Sequence, residues 1–145
     1  MNRLARRIGR LGAVIAAVVL TVAVNLVVYG VGAALGATYR FTAATGPAHV
    51  DALTLSGFTA VPLLVGLAVV AVLSRWWGWV PPVALAVAVL GAIGSIPFMP
   101  FSVDLDLASA IALAIAHVVV ATGATAGILA IRSLGRSPAT RAVTA

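Results

Sequence analysis

The sequence predicts an all-α integral membrane protein, an up-down four-helix bundle with its N-terminus and C-terminus both cytoplasmic. Three observations predict it. The 145-residue chain is 63% hydrophobic and only 8% charged, with a mean hydropathy of +1.19, so it has too little polar surface to cover a water-soluble globule. Four long apolar runs contain no charged residue. Of the nine basic residues, all arginine, eight fall in three places: Arg3, Arg6, Arg7 and Arg10 before the first run, Arg75 between the second and third, and Arg132, Arg136 and Arg141 after the fourth. Basic residues stay on the cytoplasmic side of a membrane, so this spacing sets both the number of crossings and their direction.

A helix rises about 1.5 Å per residue and the hydrocarbon core is about 30 Å thick, so each crossing needs roughly 20 apolar residues. Spans are predicted at about 11–37, 53–73, 80–98 and 107–131, in one membrane domain covering 1–145. Arg3 to Arg10 before an apolar run imitates a secretory signal peptide, but the run from Leu11 to Ala37 far exceeds the usual core of about 7–15 residues. A retained first helix is expected, with Ala34-Leu35-Gly36 marking where processing would otherwise fall. The links at 38–52 and 97–106 lie outside, and they hold all three acidic residues, Asp51, Asp104 and Asp106, together with Arg40, which is expected to pair with one of them. The inner turn carries Trp76, Trp77 and Trp79, whose rings suit the headgroup region, and then Pro81 and Pro82 where a third helix begins. From Ser133 to Ala145 the chain reads as a disordered cytoplasmic tail.

The net charge of +6 belongs to these cytoplasmic flanks and suits anionic lipid headgroups rather than nucleic acid. With no cysteine there is no disulfide, no thiolate metal site and no thiol redox chemistry. The lack of lysine and glutamate, with heavy use of alanine, valine, glycine and arginine, suits a GC-rich bacterial genome.

In lipid, apolar side chains gain little by meeting one another, so helices associate through small residues and polar contacts. Each span carries such a stripe: Ala17, Thr21, Asn25, Tyr29, Gly32 and Gly36 in the first; Ser56, Thr59, Pro62 and Gly66 in the second; Ala84, Ala88, Gly91 and Ser95 in the third; Ala110, Ala114, His117, Ala121 and Ala124 in the fourth. These faces are expected to turn inward. Gly123 and Gly127, like Gly32 and Gly36, have GxxxG spacing, which serves either an oligomer face or a close approach within one chain.

Polar groups within spans point to one candidate site. His117 is the only side chain in an apolar run that changes charge near neutral pH. It lies about 15 Å from the outer end of its helix, as does Asn25 from the outer end of the first, so the two meet if their helices are neighbours. Pro62 has no N–H and frees the Phe58 carbonyl, for which Asn25, Tyr29, Thr59 or His117 offers a donor. Such a cluster either pins helix register, or responds to a ligand or proton, or offers a single haem or metal ligand. Outside, His49, Asp51, Asp104 and Asp106 are either a loose divalent-metal site or simply solvated. No Ser-His-acid set, intramembrane aspartate pair, metalloprotease helix or phosphate loop occurs, and no cofactor is expected. The small multidrug exporters, which rely on a glutamate in their first span, are excluded because the chain has none.

Taken together, the arginine-led first helix, the Leu53–Pro62 segment LTLSGFTAVP and the Ala114–Val120 segment AIAHVVV resemble a family of short actinobacterial four-helix integral membrane proteins of unknown function. The resemblance implies a four-helix plasma-membrane protein and brings no activity with it. The leading expectation is therefore a non-enzymatic structural or partner-binding subunit of the bacterial plasma membrane, with a homo-oligomer or another membrane protein as partner. The alternative is a small transporter or sensor with a proton- or ligand-responsive site around His117 and Asn25. A third expectation is an extracytoplasmic enzyme built on His49 and the aspartates.

Overall fold

The structure, a computed structural model, describes residues 3–96 and 104–135. In chain order it comprises α1 (Arg3–Ala34), β1 (Arg40–Ala43), β2 (Gly46–His49), α2 (Ala52–Leu73), α3 (Val80–Ser95) and α4 (Leu107–Gly135). Stretches of 26, 22 and 28 residues in α1, α2 and α4 are long and apolar enough to cross a membrane.

Local chemistry sets most of these boundaries. α1 takes in the arginine cluster and ends in a Schellman motif: Gly36 adopts φ +96°, Ala37 N–H donates to the Gly32 carbonyl at 2.9 Å, and Gly36 N–H donates to the Ala33 carbonyl at 3.1 Å. Glycine suits that position because a Cβ penalises the left-handed region. Asp51 caps α2, its carboxylate accepting the Thr54 N–H at 2.6 Å. Asp106 does the same for α4, accepting the Ser109 N–H at 2.8 Å.

Of the third span, expected over 80–98, the helix covers 80–95, and residues 97 and 98 lie outside the described part. Gly91 and Gly94 weaken its outer half. The tail expected to be disordered from Ser133 is instead helical through Gly135, where Ser133 Oγ donates back to the Ala130 carbonyl at 2.9 Å. Residues 136–145 of that expected tail lie outside the described part.

α1 packs along both α2 and α4, and α4 also packs along α3, whereas α2 and α3 barely touch. The bundle is therefore a ring with one loose seam. Val14, Val18, Leu67, Val70, Ile128 and Ile131 form the core toward the arginine-bearing end. Ala37, Tyr39, Leu55, Ala112, Leu113 and Ala116 form a second core at the opposite end. Asn25 and Thr59, 1% and 3% exposed, lie buried between the helices. The start of α1 meets the ends of α4 and α2: a Cβ on Gly9 would stand 3.5 Å from Leu134, and Arg10 Nη1 donates to the Ala71 carbonyl at 3.4 Å.

The glycine pairs act within the chain. A Cβ on Gly127 would lie 2.7 Å from Leu67 and 3.2 Å from Ala17, one on Gly123 would collide with Thr21, and one on Gly32 would collide with Tyr39 and stand 2.9 Å from Ala112. Gly36 turns the chain. Of the two readings of their spacing, the internal one is seen here: three of the four residues make helix contacts within the chain and the fourth ends a helix.

A further departure from all-helical structure is the antiparallel hairpin β1–β2, which pairs Arg40 with His49 and Thr42 with Pro47. It is clasped to the start of α4. Thr42 Oγ1 donates to Asp104 at 2.8 Å, Thr38 Oγ1 donates to Asp106 at 2.7 Å, and the Tyr39 N–H donates to Ser109 Oγ at 2.8 Å. Tyr39 itself takes φ 55°, an uncommon conformation for a bulky residue. Burial, a 2.8 Å bond from its hydroxyl to the Tyr29 carbonyl and stacking on Tyr29 at 4.3 Å hold it there.

Candidate ligand site between the helices

A cavity of about 690 Å³ opens between α2, α3 and α4, reaching inward to Asn25 of α1. Along α3 its lining runs from Trp79 to Ala92, about 20 Å at the helical rise. It exists because α2 and α3 diverge and because small residues face the gap. A Cβ on Gly66 or Gly91, both of which line it, would meet no atom within 4 Å. Their effect is opposite to that of Gly123 and Gly127: they leave space rather than permit contact.

The lining is apolar apart from Asn25, Thr59, His117 and the indole N–H of Trp79, and none of the lining residues carries a permanent charge. Asn25 Nδ2 donates to Thr59 Oγ1 at 2.9 Å, joining α1 to α2. Asn25 Oδ1 is buried without a hydrogen-bond partner. In hydrocarbon such an orphaned acceptor is costly. His117 Nδ1 lies 2.8 Å from the Leu113 carbonyl of its own helix; a carbonyl only accepts, so Nδ1 donates, and in the neutral ring Nε2 is then the acceptor.

Of the residues expected to cluster, Asn25, Thr59, Pro62 and His117 line one cavity, while Tyr29 does not: it stacks on Tyr39 toward the hairpin. Asn25 and His117 each bond elsewhere and share the cavity without a bond between them. The α3 wall, with Val83, Val87 and Gly91, had no signal in the sequence beyond its small-residue stripe, which suggested close packing. Trp79 lines the inner end of the cavity and stacks on Trp77 at 6.1 Å, and all three tryptophans are exposed.

The outer carboxylates bond to the starts of the helices and to the hairpin. Hydrogen bonds from Thr54 lower the Asp51 pKa, those from Thr42 lower that of Asp104, and those from Thr38 and Ser109 hold Asp106 well below the usual carboxylate range. Burial, with help from Tyr29 and Asp106, pushes the Tyr39 phenol up. Among the described residues no three metal-ligating side chains converge. The expected pairing of Arg40 with an aspartate is not seen among the described residues, where those carboxylates bond to the hairpin and helix starts. Arg40, Thr42, His49 and Asp104 do border a shallow outer pocket of about 560 Å³, from which Asp51 and Asp106 are absent.

Fold and site together define a class: a small apolar helical bundle, with three helices long enough to cross a membrane and an uncharged, polar-tipped cavity between its helices. The chain belongs to a family of unknown function (DUF6069), whose model matches residues 5–134. No curated protein matches it, and neither does any solved structure.

Proposed function

We propose that the protein is a multi-pass protein of the bacterial plasma membrane, with both termini cytoplasmic, that binds a small lipophilic molecule between its helices as a sensor or carrier and catalyses no reaction. The single observation that carries this is a 690 Å³ cavity lined by Asn25, whose buried Oδ1 has no hydrogen-bond partner among the described residues. Pockets for small molecules share this plan, mostly apolar with few polar groups and about 300–1,000 Å³ in volume. A subunit that only braces a larger assembly has no need of such a space, and the glycine pairs that favoured an oligomer are used inside the chain.

Orientation is supported by charge. Arg75 stands at the α2–α3 turn, at the end of the bundle where α1 begins and α4 finishes, which is also where Arg10 and Arg132 lie. Anionic headgroups on the cytoplasmic face would meet these arginines. The test of function is to purify the protein in mild detergent, extract it with organic solvent and identify what co-purifies by mass spectrometry. A defined lipophilic molecule should appear with the parent protein and be lost from Gly66→Leu and Gly91→Leu, which fill the cavity. An identical extract from parent and filled variants would refute ligand binding.

A further inference from the structure

We propose that the cavity is a slot for a neutral, elongate lipid bearing a hydroxyl group, which slips in sideways through the α2–α3 seam and seats its hydroxyl against Asn25 and Thr59. The inference rests on the ligand-binding function proposed above and adds the chemistry of the ligand.

Charge is the first constraint. No lining residue carries a permanent charge, and Thr59 stands seven residues into α2, about 10 Å along the helix from its outer end. An ionised phosphate or carboxylate held there would be desolvated with no countercharge, a cost that excludes ordinary phospholipid headgroups and fatty-acid anions. Hydrogen-bond polarity is the second. Asn25 lines the slot and its Oδ1, buried, has no donor among the described residues, so a ligand that reaches it must bring an O–H or N–H. Thr59 Oγ1 already accepts from Asn25 Nδ2, which leaves its own proton for an oxygen of the ligand. A hydroxyl meets both demands at once, donating to Asn25 Oδ1 and accepting from Thr59. His117 lines the same slot, with its Nδ1 held by the Leu113 carbonyl.

Shape is the third. The slot is about 20 Å long on its α3 side, and Thr59 lies one helical turn from Leu55, which lines its outer end. The hydroxyl therefore sits near the outer end and the chain extends toward Trp79. Since α2 and α3 barely touch, such a molecule reaches the slot directly from the bilayer without crossing a headgroup layer.

Trp79 provides the readout. The protein carrying Trp76→Phe and Trp77→Phe, with Trp79 as its only tryptophan, is reconstituted in phosphatidylcholine vesicles. It is titrated at neutral pH with a long-chain alcohol brominated at the tail end, and with the methyl ether, methyl ketone and carboxylic acid of the same length. The alcohol should quench Trp79 saturably and bind about three- to tenfold more tightly than the ether, the range expected for one net hydrogen bond. The acid should quench no more than the bilayer baseline. Asn25→Ala should abolish the preference for the alcohol, and Gly66→Leu should remove saturable quenching by every probe. The comparison of alcohol with ether needs no variant at the site and so survives a failure of Asn25→Ala to fold. An ether or ketone that binds as tightly as the alcohol would overturn the hydroxyl assignment while leaving ligand binding intact; a preferred ketone would mean that the Asn25 amide presents its NH₂ to the slot. If no probe quenches saturably and Gly66→Leu behaves like its parent, both the assignment and the ligand-binding function fall, leaving the seam to a helix from a second copy.

Discussion

A methyl group added at Gly32 meets Tyr39 and Ala112, whereas one added at Gly66 meets nothing. Gly32→Ala must push α1 away from α4 and the hairpin, so it should destabilise the bundle by about 1–3 kcal/mol, the usual cost of overpacking. Gly66→Ala should be neutral or stabilising by about 0.5–1 kcal/mol, because alanine restrains the unfolded chain and suits a helix better. Thermal unfolding of both variants in one detergent checks the pair, and equal melting temperatures would contradict the cavity. Sequence spacing could not separate these roles, since a glycine that admits a neighbour and one that leaves a void look the same along a single helix. Asn25 and Thr59 were legible because an amide and a hydroxyl stand out in an apolar run. Tyr29 was misplaced for an equally physical reason: it shares the Asn25 stripe but lies one turn further out, where Tyr39 folds back to cover it.

Helix starts and the hairpin behave as one element, because Asp106 caps α4 and also holds Thr38. Asp106→Ala should release both. Hydrogen exchange should then quicken at the amides of residues 38–50 and in the first turn of α4, with the middle of α2 unchanged; uniform quickening would mean that the hairpin is not a separate clasp. Acid should act at the same place. Asp51, Asp104 and Asp106 all have pKa values lowered by folding, so their stabilisation is complete above the unfolded value of about 3.9 and is lost as pH falls through the lower folded values. The melting temperature should be level from neutral pH to about pH 5 and fall below about pH 4, and the fall should shrink in Asp106→Asn. The caps at Asp51 and Asp106 follow from local rules. The hairpin does not, since Pro47 argues against a strand and its pairing depends on Asp104, far along the chain.

For the whole molecule, the four helices and their order were legible from apolar run length, but the seam was not, because it depends on how tightly α2 and α3 approach each other. Orientation is directly testable, since the chain has no cysteine. In intact cells a cysteine placed at Ala44, exposed in the hairpin, should react with an impermeant maleimide, and one at Ser133 should react only after lysis. The reverse pattern would invert the proposed topology. The short α3 has one more consequence. Sixteen residues span about 24 Å, some 6 Å less than a typical hydrocarbon core. In a bilayer this hydrophobic mismatch falls on one side of the molecule, and lipids beside α3 must compress or the helix must sink to one leaflet. The protein should therefore be more stable in bilayers of short-chain than of long-chain phosphatidylcholine. It should also thin the membrane locally beside the α2–α3 seam, so that the route into the slot becomes shorter where a lipid would use it.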